Sequence, residues 1–157
     1  MLDLLKSLIF GEEASSDATS GVDQARLAAA ALLVEAAMTD GSMAAVEQDR
    51  IRLLLRQRFN LAEDAAAALF QRAVHCQQDA NQLFPFTKVI VEHCDAMQRL
   101  ELIEMLWEVA YADGHLHDYE AGLVRQVAGL IYVSDQESGA ARQRAMARLG
   151  VADDPLL

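Results

Sequence analysis

The stretch Leu102–Asp135, LIEMLWEVAYADGHLHDYEAGLVRQVAGLIYVSD, decides how the chain folds. It opens on a run rich in Leu, Met, Glu and Ala, residues that lose little side-chain freedom in a helix. The run meets Asp113-Gly114, where glycine suits the left-handed turn that ends a helix. A second helical pattern follows from Asp118 to Tyr132, with Glu120 in its first turn. The unit is therefore helix, acidic turn, helix.

A second copy of this pattern lies 73 residues earlier, from Asp113 back to Asp40. At that offset Glu35 aligns with Glu108, Ala37 with Ala110, Gly41 with Gly114, Met43 with Leu116 and Glu47 with Glu120. Ile51 and Leu54 fall on Val124 and Val127 and, one deletion later, Leu61 and Glu63 fall on Val133 and Asp135. Shared apolar positions are weak evidence, because most helices have them. Matched Glu, Asp, Gly and Glu at fixed spacing are stronger. Each half is too small to bury its own faces, so the pair reads as one domain of two pseudo-repeated halves.

The second unit resembles the tellurite-resistance TerB family, whose hallmark is an Ala-Asp-Gly turn followed by an apolar residue and then a Glu. Ala112, Asp113, Gly114, Leu116 and Glu120 fit it directly. The first unit departs at Thr39 but keeps Asp40, Gly41, Met43 and Glu47. The resemblance covers about Val22 to Leu149. It implies a cytoplasmic role in the response to tellurite or related stress, with divalent metal bound and membrane-associated protein partners contacted. A non-enzymatic binding module is expected because the sequence carries no nucleophile elbow, phosphate-cradling Gly loop or dinucleotide fingerprint.

Around these units the chain reads as an all-α, compact bundle of about seven helices with short connections. The expected helices are Val22–Thr39, Ala44–Arg58, Leu61–Gln77, Phe86–His93, Ala96–Ala112, Asp118–Tyr132 and a last one to Leu149. Asn60 with Glu63, Asp95 with Gln98, and Ser134 with Glu137 have capping-box spacing, and Pro85 suits a first turn. Lys88–Val91 is the one short strand candidate. Met1–Phe10 has Leu2, Leu5 and Ile9 on one face, an amphipathic helix too short to stand alone. Residues 11–21 read as an acidic linker, 22–150 as the domain and 151–157 as a tail.

A net charge of −11 argues against nucleic acid and anionic membrane as partners, since both need clustered Lys and Arg. No stretch is long and apolar enough to span a membrane. Cys76 and Cys94, without a recognisable secretory signal, suggest free thiols in a reducing cytoplasm. His75-Cys76 and His93-Cys94 match no zinc signature, and adjacent helical residues diverge by about 100°. Trp107 and Tyr111, four apart, belong to a core face.

An Asp-Gly turn closed by a Glu also looks like the second half of a calcium-binding EF-hand loop. That loop needs oxygen ligands two and four residues before the Asp. Met38 and Ala36 stand there in the first unit, Tyr111 and Val109 in the second, so it is not an EF-hand. A different site is expected if the halves face one another, with Glu35, Asp40, Glu47, Glu108, Asp113 and Glu120 converging on Ca²⁺, Mg²⁺ or Mn²⁺. His115 and His117 are additional candidates; with the carboxylates they would suit Zn²⁺, a less favoured ion. The competing reading makes the aspartates turn formers and Glu47 and Glu120 helix-start residues that favour the positive end of the dipole. Two functional alternatives stay open: an adaptor binding through an apolar groove or the N-terminal helix, and a metal-assisted hydrolase. A homodimer is also left open.

Overall fold

The computed structural model describes residues 17–38, 42–114 and 116–151, with side chains from Gly21 onward. Seven helices run through them: α1 Asp17–Ala37, α2 Ala45–Arg58, α3 Glu63–Asp79, α4 Phe84–His93, α5 Ala96–Ala110, α6 Asp118–Leu130 and α7 Asp135–Leu149. Among the described residues there is no strand, and Lys88–Val91 lies inside α4. The all-helical expectation holds. The N-terminal helix expected over 1–10 lies outside the described residues, as do Thr39, Asp40, Gly41, His115 and residues 152–157.

Two helices form the centre. Every residue of α1 from Leu27 to Val34 is buried, and so is every residue of α5 from Leu102 to Ala110. A helix that is apolar all round must be surrounded, and α1 packs against α2, α3, α4, α5 and α6. The alanines of α1 let these neighbours approach its backbone closely, which explains why so small a residue is so frequent there. On α5 the main neighbour is α7. The Trp107 indole N–H donates to Ser138 Oγ at 3.2 Å and Arg142 Nε donates to the Tyr111 hydroxyl at 2.8 Å. Both aromatic rings are buried, as their spacing on one face led us to expect. The thiols of Cys76 and Cys94 are both free, and burial pushes both above the ordinary thiol range.

Helix ends follow local chemistry where a side chain can serve. Asp95 and Gln98 make reciprocal bonds at 2.8 and 2.9 Å, Ser134 and Glu137 close the same box, and Pro85 sits in the first turn of α4. Three expectations fail. Residues 17–21, read as linker, are the first turns of α1. Asn60 does not cap α3, which starts at Glu63 after Ala62. Instead Asn60 adopts φ 54° just after α2, and Leu61 N–H returns to the Arg56 carbonyl at 3.0 Å. The helix α5 also stops short of the Asp-Gly turn, capped by Tyr111.

The end of α6 is built like that of α2. Tyr132 sits at φ 64° and Val133 N–H bonds the Ala128 carbonyl at 2.9 Å. Both are left-handed closures of the kind glycine normally fills. The Tyr132 ring is 76% exposed, so it gains little packing in return for the strained backbone. Tyr132→Gly is therefore expected to raise unfolding free energy by about 1 kcal/mol in urea denaturation.

Candidate functional site

Two buried glutamates face each other where the starts of α2 and α6 meet. Each is the third residue of its helix, and each carboxylate reaches back to the backbone at the helix start. Glu47 bonds the Ala44 backbone, and Glu120 Oε1 accepts the His117 N–H at 3.4 Å. That satisfies otherwise unpaired helix-start donors, so both glutamates have the structural role the capping argument assigned them. They also bond each other. The contact strengthens the hold of Glu120 on a proton and weakens that of Glu47.

Such a bond requires a proton, and burial supplies the reason it is held. Glu120 is 1% exposed and Glu47 9%. Burial pushes the Glu120 carboxyl up, the negative charge of Glu47 pushes it further, and it reaches about 8. Burial likewise raises Glu47, offset in part by its hydrogen bond with Glu120. Asp113 lies close enough to raise both. Asp113 is itself joined to the His117 ring at 3.4 Å, and both side chains are more than one-third exposed. The turn thus adds a solvent-facing carboxylate and an imidazole beside a buried pair that shares one proton.

The other expected carboxylates are occupied elsewhere. The Glu35 carboxylate accepts from Gln77 Nε2 on α3 at 2.5 Å and from the Tyr119 hydroxyl at 3.5 Å. Glu108 is 1% exposed and takes bonds from Arg58 at 3.0 Å and Arg148 at 2.7 Å. Glu104, one helical turn before it, takes bonds from Arg58 at 3.2 Å and Arg144 Nε at 2.8 Å. Burial alone would raise Glu104, but the hydrogen bonds and charges of Arg144, Arg148 and Arg58 hold it below the ordinary carboxylate range. Glu104 with Arg144 and Glu108 with Arg148 form a charged seam between α5 and α7.

Of the six carboxylates read from the sequence, the structure brings Glu47, Glu120 and Asp113 together. Glu35 and Glu108 are held by Gln77 and by arginines, and Asp40 lies outside the described residues, as does His115. Among the described residues no three or more His, Cys, Asp and Glu side chains form a group arranged to hold a metal ion. The residues missed from sequence are Arg58, Gln77, Tyr119, Arg144 and Arg148. A signal for the arginines was present. Glu104 and Glu108, four apart in the otherwise apolar run Leu102–Ala110, demand buried cations, and Arg144 and Arg148 repeat that spacing.

The family model described as tellurite resistance protein TerB matches residues 26–143, most of the chain. Neither the curated proteins nor the solved structures compared with the chain include a match.

Proposed function

The chain belongs to the tellurite-resistance TerB family, and from that premise we propose that it is a non-enzymatic, cytoplasmic stress-response protein whose acidic turns take up a cation. Family membership supports the tellurite-resistance association. The observation that carries the cation reading is the buried Glu47–Glu120 pair, which retains a proton with Asp113 beside it. A divalent cation arriving there would displace that proton into solvent and leave both carboxylates ionised around its two positive charges.

The donors present suit a hydrated hard ion. Two glutamate carboxylates with an aspartate nearby fit Mg²⁺, which keeps several waters and needs only one or two protein carboxylates. Mn²⁺ takes the same octahedral donor set, Ca²⁺ with six to eight oxygens is accommodated less completely, and Zn²⁺ would call on His117. The ammonium or guanidinium of a basic protein partner satisfies the same carboxylates through charge-assisted hydrogen bonds. In either case the pair contributes position and charge.

Thermal melts with Mg²⁺, Mn²⁺, Ca²⁺ and Zn²⁺ test the reading. Saturating Mg²⁺, at about 100 times its Kd, is expected to stabilise the wild type by about 2.7 kcal/mol and the Glu47→Gln/Glu120→Gln variant not at all. Equal stabilisation of both proteins, or of neither, by every ion would sink the cation assignment.

Without added cation, the retained proton has a consequence for stability. The folded protein holds a proton on Glu120 that the unfolded chain releases in the ordinary carboxylate range. Stability therefore falls as pH rises from that range toward about 8, and levels off above it. Between about pH 5 and about pH 9 the loss is expected to be on the order of 2–3 kcal/mol by urea denaturation. Glu120→Gln, which keeps a donor toward Glu47, is expected to flatten the profile and to be the more stable protein at the alkaline end.

A further inference from the structure

Away from the glutamate pair, a cavity of about 370 Å³ opens between α1, the end of α2, the end of α4 and the first half of α5. That volume falls within the range of small-molecule sites. Its floor is apolar and buried, made of Ala29, Ile90, Leu102 and Met105. Near its rim α1 comes so close to α4 that a Cβ on Gly21 would meet His93 Nδ1 at 3.0 Å. The shape is fixed by helix packing rather than by a loop.

The rim has the opposite charge to the chain. Arg26 and Arg58 line it, and among the described residues the only carboxylate lining it is Glu101. The protein as a whole carries −11. Arg58 is already committed, to Glu101 at 3.5 Å and to the two buried glutamates of α5. Arg26 is not. It lies over the Phe59 ring at 5.7 Å and donates to the Phe59 carbonyl at 3.3 Å. A guanidinium has five donors in a planar fork, and that carbonyl takes one. Cys94 contributes a neutral wall, since burial holds its thiol protonated.

An apolar floor of small-molecule size under a guanidinium with donors to spare is a site for an amphiphile with an anionic head. We propose that this cavity binds a short-chain carboxylate-type amphiphile, its chain against Ala29, Leu102 and Met105 and its head on Arg26. Cationic amphiphiles are disfavoured by the charge of Arg26. Neutral ones leave the Arg26 fork unpaired and lose the charge-assisted bonds. The proposal is independent of the cation reading, because no residue of the cavity belongs to the glutamate pair.

The test titrates octanoate, octan-1-ol and octylammonium separately into the full chain and follows backbone amide NMR signals. Octanoate is expected to shift amides of the four cavity walls in a saturable way. The alcohol should bind about tenfold more weakly and octylammonium should leave those signals in place. Arg26→Gln, a change at a partly exposed position, is expected to weaken octanoate about tenfold and to leave the alcohol unchanged. Ala25→Leu, which narrows the mouth, should weaken both. Equal binding of all three probes, no octanoate shifts at the walls, or octanoate binding untouched by Arg26→Gln would overturn the proposal. So would octanoate displacing signals of residues 2–9, which would make the N-terminal segment the occupant.

Discussion

Replacing Arg58 with alanine is expected to cost about 3–5 kcal/mol of unfolding free energy, the largest loss foreseen for any polar substitution here. Arg58 ends α2 and its guanidinium bonds Glu104 at 3.2 Å and Glu108 at 3.0 Å on the central helix α5. Both glutamates are nearly inaccessible to water. Removing the cation leaves buried charge that Arg144 and Arg148 only partly compensate, because those two arginines approach from α7 and are almost half exposed. Urea denaturation measures the loss, and Arg58→Lys should recover part of it, since a single ammonium keeps the charge but cannot span two carboxylates as a fork does. The pH dependence separates this from a packing defect. Glu104 is held below the ordinary carboxylate range, so its ion pairs stabilise the fold above that range and are lost as pH falls through the lowered value. The gap between wild type and Arg58→Ala should therefore narrow in acid. A gap constant with pH would mean that the guanidinium acts by volume alone.

Leu33→Ala is expected to cost about 3–4 kcal/mol. Leu33 is fully buried on α1, the helix that touches five of the other six. A cavity there borders several helices at once, and none can close it without moving from the rest. Met97, at the start of α5 and 80% exposed, supplies the control, for Met97→Ala should change stability by less than about 0.5 kcal/mol. Comparable losses at the two sites would contradict the central place given to α1.

These two positions also show what the sequence disclosed and what it withheld. The apolar richness of α1 announced a helix, but not that it would be surrounded; periodicity marks a face, and a helix buried all round has no polar face to mark. Helix ends were legible where a side chain does the capping, as at Asp95 and Ser134. They were misread at Asn60, because the same residue type serves as an N-cap and as a left-handed closure, and only the partner of Leu61 N–H distinguishes the two. Asp17–Gly21 looked like linker by composition, since Ser, Asp and Gly disfavour helix interiors locally while the packing of the residues that follow extends the helix through them.

At the site, pairing Glu47 with Glu120 followed from aligning the two turns. The fates of Glu35 and Glu108 did not follow, because both satisfy the same alignment while facing different neighbours. Gln77 on α3 meets the first and Arg148 on α7 the second. Alignment states which residues correspond; only the packing of the outer helices states which remain available.

The central claim is that Glu47 and Glu120 share a proton that a cation replaces. Carbon-detected NMR titration of the glutamate carboxyls, with and without Mg²⁺, measures it directly. In the absence of the ion, Glu120 is expected to titrate near about 8. With Mg²⁺ present its midpoint should fall by at least about one unit, with proton release on binding at neutral pH. A Glu120 carboxyl that titrates in the ordinary carboxylate range, and does so identically with and without Mg²⁺, would contradict the account.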